Sequence, residues 1–563
     1  MRFAFVFVAV LSGCGSCGGG DVVSDASPGS TATAAEPPVP APTGLLAEAV
    51  LPTPDATWKQ VQANVGGFLS LAAPSFAGVV GSTMGAPEIA ALADGAAVAY
   101  AAFGDGPDGA LHYVVVVHLG RPEAAVGALT DGETARFVRA GEDEAITVLL
   151  PRGGTSPALG VAHGGFLLIA TSRDDLKHLG PYAYRTLPSR PAPTSPLVVT
   201  IPRDSVTGPV TRLVTAKWES VKADLLAKDD EQRQAHGGRE PDLGDPRAFV
   251  ATLDGHVKEW LGALTDADHA ELTFTLPEAS LGGELLLFPR GEGPTKKFTD
   301  GLHTGDTAQL AAVPDSALVA LEVRSDGAER AQTAKDTALA LTGVLGARQP
   351  ASDAKELAAT LDAWAQARGD SFTVAVVGAL ARGLLVRARV SDEGQGAKAF
   401  EALVRRLDHP GVRDLAKTLL GFKSLRVAPQ SVPGIGSGML GTMERDASGP
   451  RAPTPATMNV FWSAQRGDLV ALAAEDAPSL APALFVPPRT LGDDARIHDA
   501  LGRVGQDGSI VGVLRPFLSA ASPRSDSAVF AVGRRGDRAM LRAEASGAFV
   551  REVMRRASSG GGL

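Results

Sequence analysis

The chain has 563 residues, 44% hydrophobic and only 5% aromatic, with a formal charge of −10. That apolar content excludes global disorder, and the length predicts roughly two to four domains. Arg supplies 40 of the 53 basic residues, but 63 acids outnumber them over the chain; no basic face is concentrated, which excludes a nucleic-acid binder.

The chain opens with Met1-Arg2 and the apolar run Phe3–Leu11. That run is far shorter than the roughly 20 apolar residues needed to span a bilayer, so it reads as the core of a signal peptide. Directly behind it stands Leu11-Ser12-Gly13-Cys14, which resembles the lipobox of bacterial lipoproteins. The resemblance implies cleavage after residue 13 and acylation of Cys14, with palmitate among the chains. One acyl chain binds a membrane only marginally, at roughly 10⁴ per molar, so stable attachment implies several. Gly15 follows the Cys. In the lipoproteins it resembles, Asp at that place retains the protein at the inner membrane. The implied location is therefore the outer membrane, facing the periplasm, with the inner membrane and the cell surface as alternatives. Cys17 is the only other Cys, so the body has neither a disulfide nor a thiolate metal site.

Residues 15–43 are rich in Gly, Ser, Ala and Pro and read, with Cys14, as a flexible tether over 14–43. The body then shows an internal duplication, the first half over 44–302 and the second over 306–563. Pro54-Asp55 before Trp58–Ala72 is matched with Pro314-Asp315 before Glu329–Leu345. Strand pairs follow at Ala97–Phe103 with Leu111–Leu119, and at Phe372–Gly378 with Gly383–Val390. The clearest match pairs Ala162–Thr171 with Ser463–Leu472, a Gly-containing turn feeding an apolar strand. A capped helix comes next, from Ser172 with Asp175 in one half and from Asp476 in the other. Single strands (Leu197–Ile201; Ser509–Leu514), β-pairs (Glu271–Leu276 with Glu284–Phe288; Ala528–Gly533 with Ala539–Ala543) and a final helix close each half. The Pro-rich stretches Arg185–Pro196 and Asp446–Pro455 read as linking loops.

One stretch has no counterpart. Residues 202–271 separate two strands that only 515–527 separate in the second half. Two amphipathic patterns fill it, Val210, Val214, Val221 and Leu225, then Phe249, Leu253, Val257 and Trp260. They predict a helical hairpin over about 209–264 that covers the first sheet. The fold class is thus α+β, with two tandem related halves. Each half is a mainly antiparallel sheet with helices packed on one face.

The search for chemistry yields structural readings. His112 and His118 fall on one face of a strand, about 20 Å apart, so they cannot share an ion. Asp105-Gly106-Pro107-Asp108-Gly109 lacks the ligands of a calcium loop and has turn composition. Asp266-Ala267-Asp268-His269 reads as a solvated loop. Gly436-Ser437-Gly438-Met439-Leu440-Gly441 has dinucleotide-fingerprint spacing, but no helix follows, and it reads as a flexible loop. Glu142-Asp143-Glu144 and Asp229-Asp230-Glu231 read as solvated charge runs. No nucleophile elbow or phosphate loop occurs. No catalytic, cofactor or metal residue emerges, and Cys14, for lipidation, is the one site residue.

The body resembles large envelope lipoproteins built of repeated α+β units. That likeness is one of pattern and brings no catalytic residue with it. The expectation is a membrane-anchored lipoprotein that is not an enzyme but a binding or interaction module, with an envelope protein as partner. The alternative is a carrier of lipid or another apolar ligand, and the third reading is a hydrolase without a recognisable motif.

Overall fold

The computed structural model describes residues 36–558 except 84–86, 106–110, 134, 155–156, 236–245, 346–350, 378–382, 411, 414–421, 446–456 and 517–525. Contacts divide the chain into two interleaved units. The first takes Met1–Val210, Ala267–Leu287 and Ala545–Leu563; the second takes Thr211–Asp266 and Phe288–Glu544.

Ten strands build the first sheet: β1 (Leu45–Leu51), β2 (Ala99–Asp105), β3 (Leu111–His118), β4 (Phe137–Asp143), β5 (Ile146–Pro151), β6 (Ala158–Ala162), β7 (Phe166–Ala170), β8 (Leu197–Ile201), β9 (Ala267–Thr275) and β10 (Ser280–Pro289). They lie in the order β4-β5-β6-β7-β3-β2-β1-β8-β9-β10. The second set is β11 (Ala317–Arg324), β12 (Arg368–Val377), β13 (Gly383–Val390), β14 (Phe422–Val432), β15 (Gly436–Arg445), β16 (Thr457–Gln465), β17 (Asp468–Ala474), β18 (Gly508–Leu514), β19 (Ala528–Arg535) and β20 (Arg538–Ser546). Its order is β14-β15-β16-β17-β13-β12-β11-β18-β19-β20. The two orders are the same, strand for strand, and the registers between β1 and β9 and between β11 and β19 are antiparallel. The chain is α+β, in two related halves.

The repeat extends to single residues. His118 pairs with Phe166 and Arg389 with Asp468, so Phe166 and Asp468 are equivalent. Ala162 faces Phe166, and Gln465 faces Asp468. The first turn thus spends three residues, His163-Gly164-Gly165, where the second spends two, Arg466-Gly467, both at positive φ, the two-residue hairpin geometry. Matching Ala162 to Ser463 by equal length is therefore out of register. The opening pair is out of register too. Pro54-Asp55 follows β1, whereas Pro314-Asp315 precedes β11.

Helices α1 (Pro54–Val65), α2 (Phe76–Thr83), α3 (Ile89–Leu92) and α4 (Pro122–Thr130) come early in the first unit. Val80, Ile89, Leu92, Ala125 and Leu129 bury one sheet face with Ala49, Leu51, Ala99 and Val117. On the other face Tyr100, Ala102, Val114, Val116 and Leu168 pack under α5 (Arg173–His178) and the segment behind it, Leu179–Leu187. Cover on both faces is why Val114–Val117 and Leu167–Ala170 are unbroken apolar runs.

The predicted helical hairpin exists, as α6 (Thr211–Ala235) and α7 (Pro246–Thr265), but it groups with the second unit. There α7 packs on α8 (Pro294–Asp300) and α9 (Gly327–Leu345), and Thr295 Oγ1 donates to the Ala263 carbonyl at 2.6 Å. The expectation that it covers the first sheet is corrected: Val214, Val221 and Leu225 are 39%, 37% and 41% exposed. The repeat passes from its first copy to its second between β10 and β11, whereas the compact units also exchange segments. The last helix, α14 (Gly547–Ser558; α10 to α13 are Ala351–Ala367, Glu393–Arg405, Ala477–Phe485 and Ala495–Val504), returns to the first unit. Its Val550 and Met554 pack on Trp58, Val65, Leu69 and Val79.

Candidate functional site

Cys14 lies outside the described residues, as do residues 15–35 of the predicted tether. The rest of that segment, 36–43, is docked on the first unit and not free chain. Its seat is a π-helical turn, Tyr182–Thr186, that continues from α5 into a 3₁₀ turn at Leu187–Ser189. Ser172 starts this helical run by accepting the Asp175 amide. π-Helical turns are rare and concentrate at functional sites.

Two polar clusters hang from this turn. In the inner one, Tyr182 Oη donates to Glu48 Oε2 at 2.5 Å and accepts from Arg190 Nη2 at 2.7 Å, while Arg190 Nη1 closes on Glu48 Oε1. Glu48 sits buried on β1. Burial, and then the Glu48 carboxylate, push the Tyr182 phenol up to about 12. In the outer cluster, Tyr184 Oη donates to Glu36 Oε2 at 3.0 Å and accepts from Arg185 Nε at 2.8 Å. Arg185 Nη2 reaches Glu36 at 2.5 Å and Glu144 at 3.5 Å. Burial also raises Tyr184 to about 12. Beside it Thr186 Oγ1 accepts the Val39 amide at 2.9 Å and donates to the Val39 carbonyl at 2.7 Å. His178 Nε2 donates to the Thr43 carbonyl at 2.8 Å.

Glu36, Val39 and Thr43 lie in the stretch whose composition reads as tether, and Arg185, Thr186 and Arg190 in the one that reads as a linking loop; Tyr182 and Tyr184 stand just before the latter. Two signals mark them. Tyr182 and Tyr184 are half of the four Tyr in the chain. Glu36, Val39 and Pro42 are spaced by three, the repeat of a polyproline II helix.

The other singled-out residues serve the fold. His112 and His118 sit at opposite ends of β3. His112 Nδ1 lies 2.9 Å from Asp175 Oδ1, and Ser172 Oγ donates to Asp175 Oδ2 at 2.6 Å. Ser172 and His112 thus both bond to the carboxylate, whereas a nucleophilic triad needs the hydroxyl on the imidazole. His118 packs against Phe166 with the rings tilted by 50° and their centroids 4.3 Å apart, and burial lowers its pKa. Asp476 stands before α12 but makes no side-chain cap. Gly436–Gly441 is not a loop: it lies in β15. Gly438 is needed there because a Cβ would lie 2.5 Å from the Trp462 carbonyl oxygen. Asp268 and His269 lie in β9 and bond to each other at 2.7 Å. Asp105 ends β2, and 106–110 lie outside the described residues. Asp143 is held below the usual carboxylate range by Arg173, and Asp230 pairs with Arg247 at 2.6 Å. Among the described residues no three His, Cys, Asp or Glu side chains form a metal-binding group, and no helix is long and apolar enough to cross a membrane. A cavity lined by Pro54, Phe76, Asp94 and Val117 holds about 10 Å³, room for one water.

No protein-family model matches the chain, and no curated protein does. Among solved structures it is similar to crystal form I of TP0453, at 11% identity over 47% of this chain and 85% of that one, with a TM-score of 0.23. Crystal form IV aligns at 12% identity over 43% and 76%, with a TM-score of 0.22. Crystal form III aligns at 9% over 47% and 85%, with a TM-score of 0.22. The fold assigned above rests on the strand pairings and not on these alignments.

Proposed function

We propose that the protein is a cell-envelope lipoprotein, held to the outer membrane on its periplasmic side through acylated Cys14. We further propose that its body is a binding or interaction module and not an enzyme. The lipobox resemblance of Leu11–Cys14 supports the anchor. The observation that carries the module reading is the apolar row along α6, where Leu213, Val214, Val221 and Leu225 lie open to solvent beside the line facing α7. Exposed apolar rows of this kind mark interaction surfaces. The partner class is an envelope protein. The alternative, a carrier of apolar ligands, draws no support from a cavity the size of one water.

Two measurements test the reading. Metabolic labelling with a palmitate analogue is expected to mark the wild type and not Cys14→Ala; equal labelling of both sinks the anchor. A photo-cross-linking residue at Val221 in intact cells is expected to give one discrete adduct that the same residue at Glu219 does not. No adduct, or the same smear from both positions, overturns the module.

A further inference from the structure

The docked segment is spaced for recognition. Along 36–43 only Glu36, Val39 and Pro42 are partly buried, while Pro37, Pro38, Pro40, Ala41 and Thr43 are exposed. Contact at every third residue is how a polyproline II segment meets a surface with one edge. Its Pro residues fix φ in advance, so little conformational freedom is lost on docking. The surface answers two of the three inward residues, Glu36 and Val39. Tyr184 and Arg185 take the Glu36 carboxylate, Thr186 brackets the amide and carbonyl of Val39, and the Val39 side chain packs on the core beneath the π-helical turn.

We propose that 36–43 is a latch. Docked on Tyr184, Arg185 and Thr186, it fixes the root of the anchor segment to the first unit; undocked, it lengthens the reach of the body from the membrane. The second half of that statement rests on the lipoprotein reading. With the latch closed, the chain from Cys14 to Glu36 spans at most about 75 Å. With it open, the stretch from Cys14 to Leu45 spans at most about 105 Å. The Glu36–Arg185 pair is partly exposed, so salt screens it and favours the open state.

Hydrogen exchange on the full-length Cys14→Ala chain tests the latch without any lipid. The Val39 amide is expected to exchange at least tenfold more slowly in the wild-type latch than in Glu36→Gln or Thr186→Val, with the difference shrinking as NaCl rises. The amides of β1 and β2 serve as the control and are expected to stay unchanged in both variants. A Val39 amide that exchanges as free chain in the parent protein, or one that loosens only together with β1, overturns the proposal. On acylated full-length protein bound to vesicles, energy transfer from a body-attached dye to a bilayer dye is expected to fall in Glu36→Gln. Unchanged transfer overturns the statement on reach. An unacylated Cys14 fails the lipoprotein reading and leaves the exchange result standing on its own.

Discussion

At the scale of single residues, this chain places its few aromatic hydroxyls where ionisation costs most. Burial raises all four tyrosines, Tyr100, Tyr113, Tyr182 and Tyr184. Tyr113 also feels Asp175, and Tyr182 feels Glu48. A phenol whose folded pKa is raised binds its proton more tightly in the fold, so its stabilisation is complete below pH 10 and is lost as pH climbs toward about 12. A titration followed at the phenolate absorption band is expected to leave Tyr182 and Tyr184 protonated at pH 10 in the folded protein. Tyr182→Phe is expected to flatten the alkaline fall in stability. A phenolate step at the ordinary pKa in the folded protein contradicts this assignment. A second residue-scale device ties α1 to the β9–β10 turn, whose Ala279 carbonyl accepts from the Gly547 amide at the start of α14 at 2.9 Å. Asn64 Nδ2 donates to the carbonyls of Pro277 and Ser280, both at 2.7 Å, and its Oδ1 accepts the Ala279 amide at 3.3 Å. Gly547 lies so near that a Cβ would stand 1.9 Å from the Asn64 carbonyl oxygen. Gly547→Ala is expected to cost about 1–3 kcal/mol, the range for overpacking, measured as a lower denaturant midpoint at unchanged m-value.

At the scale of elements, the α6–α7 hairpin is the clearest addition to the repeat. Val250 and Ala263 of α7 are buried, and α7 packs on α8 and α9 of the second unit. Replacing Thr211–Asp266 by a short loop is therefore expected to raise hydrogen exchange in α8 and α9 while β2 and β3 keep their protection. Loss of protection in β2 and β3 instead would return the hairpin to the first sheet. Reading the sequence found this hairpin but misplaced its partner, because periodicity reports an apolar face and not what meets it. Strands β7 and β17 were legible from apolar runs behind Gly turns. Strands β1 and β11, which lie between β2 and β8 and between β12 and β18, were not. Each carries a buried acid, Glu48 or Glu322, which breaks the apolar pattern of a strand. The groups that make burial tolerable at Glu48 are remote: Tyr182 and Arg190, 134 and 142 residues away. Glu322 is met both by Arg324, two residues on, at 3.3 Å and by Ser371 Oγ, 49 residues away, at 2.6 Å. The Glu48 pairing has no local pattern to carry it. The latch was hidden for the opposite reason: its composition is that of free chain, and only the three-residue spacing of its inward side chains departs from it.

At the scale of the molecule, two tandem copies of one ten-strand order, β1–β10 and β11–β20, are sorted into two compact units of which neither is a continuous stretch of chain. The first unit is completed only by α14, the last described helix, whose Val550 and Met554 close the cluster of Trp58, Val65, Leu69 and Val79. Arg551 adds a hydrogen bond to the Val65 carbonyl. The first unit thus takes its last cover from the C-terminal helix, although its first strand is at Leu45. That arrangement couples the two units through the covalent chain: closing the loop between residue 287 and residue 545 has an entropic cost that grows only slowly with its length, so a long insertion is tolerated. Removing 547–563 is expected to strip α1 of protection against hydrogen exchange and lower the melting temperature of the first unit by several degrees, as follows from losing about 1–3 kcal/mol of apolar burial in a domain of this size. The second unit is expected to melt as before, because its strands β11–β20 lie wholly between 288 and 546. A fragment ending at Leu302 should show the same loss in α1, and adding the α14 peptide in trans should restore it. If α1 stays protected in the truncated chain, the cluster around Trp58 is complete without its C-terminal cover, and α14 is not needed to close the first unit.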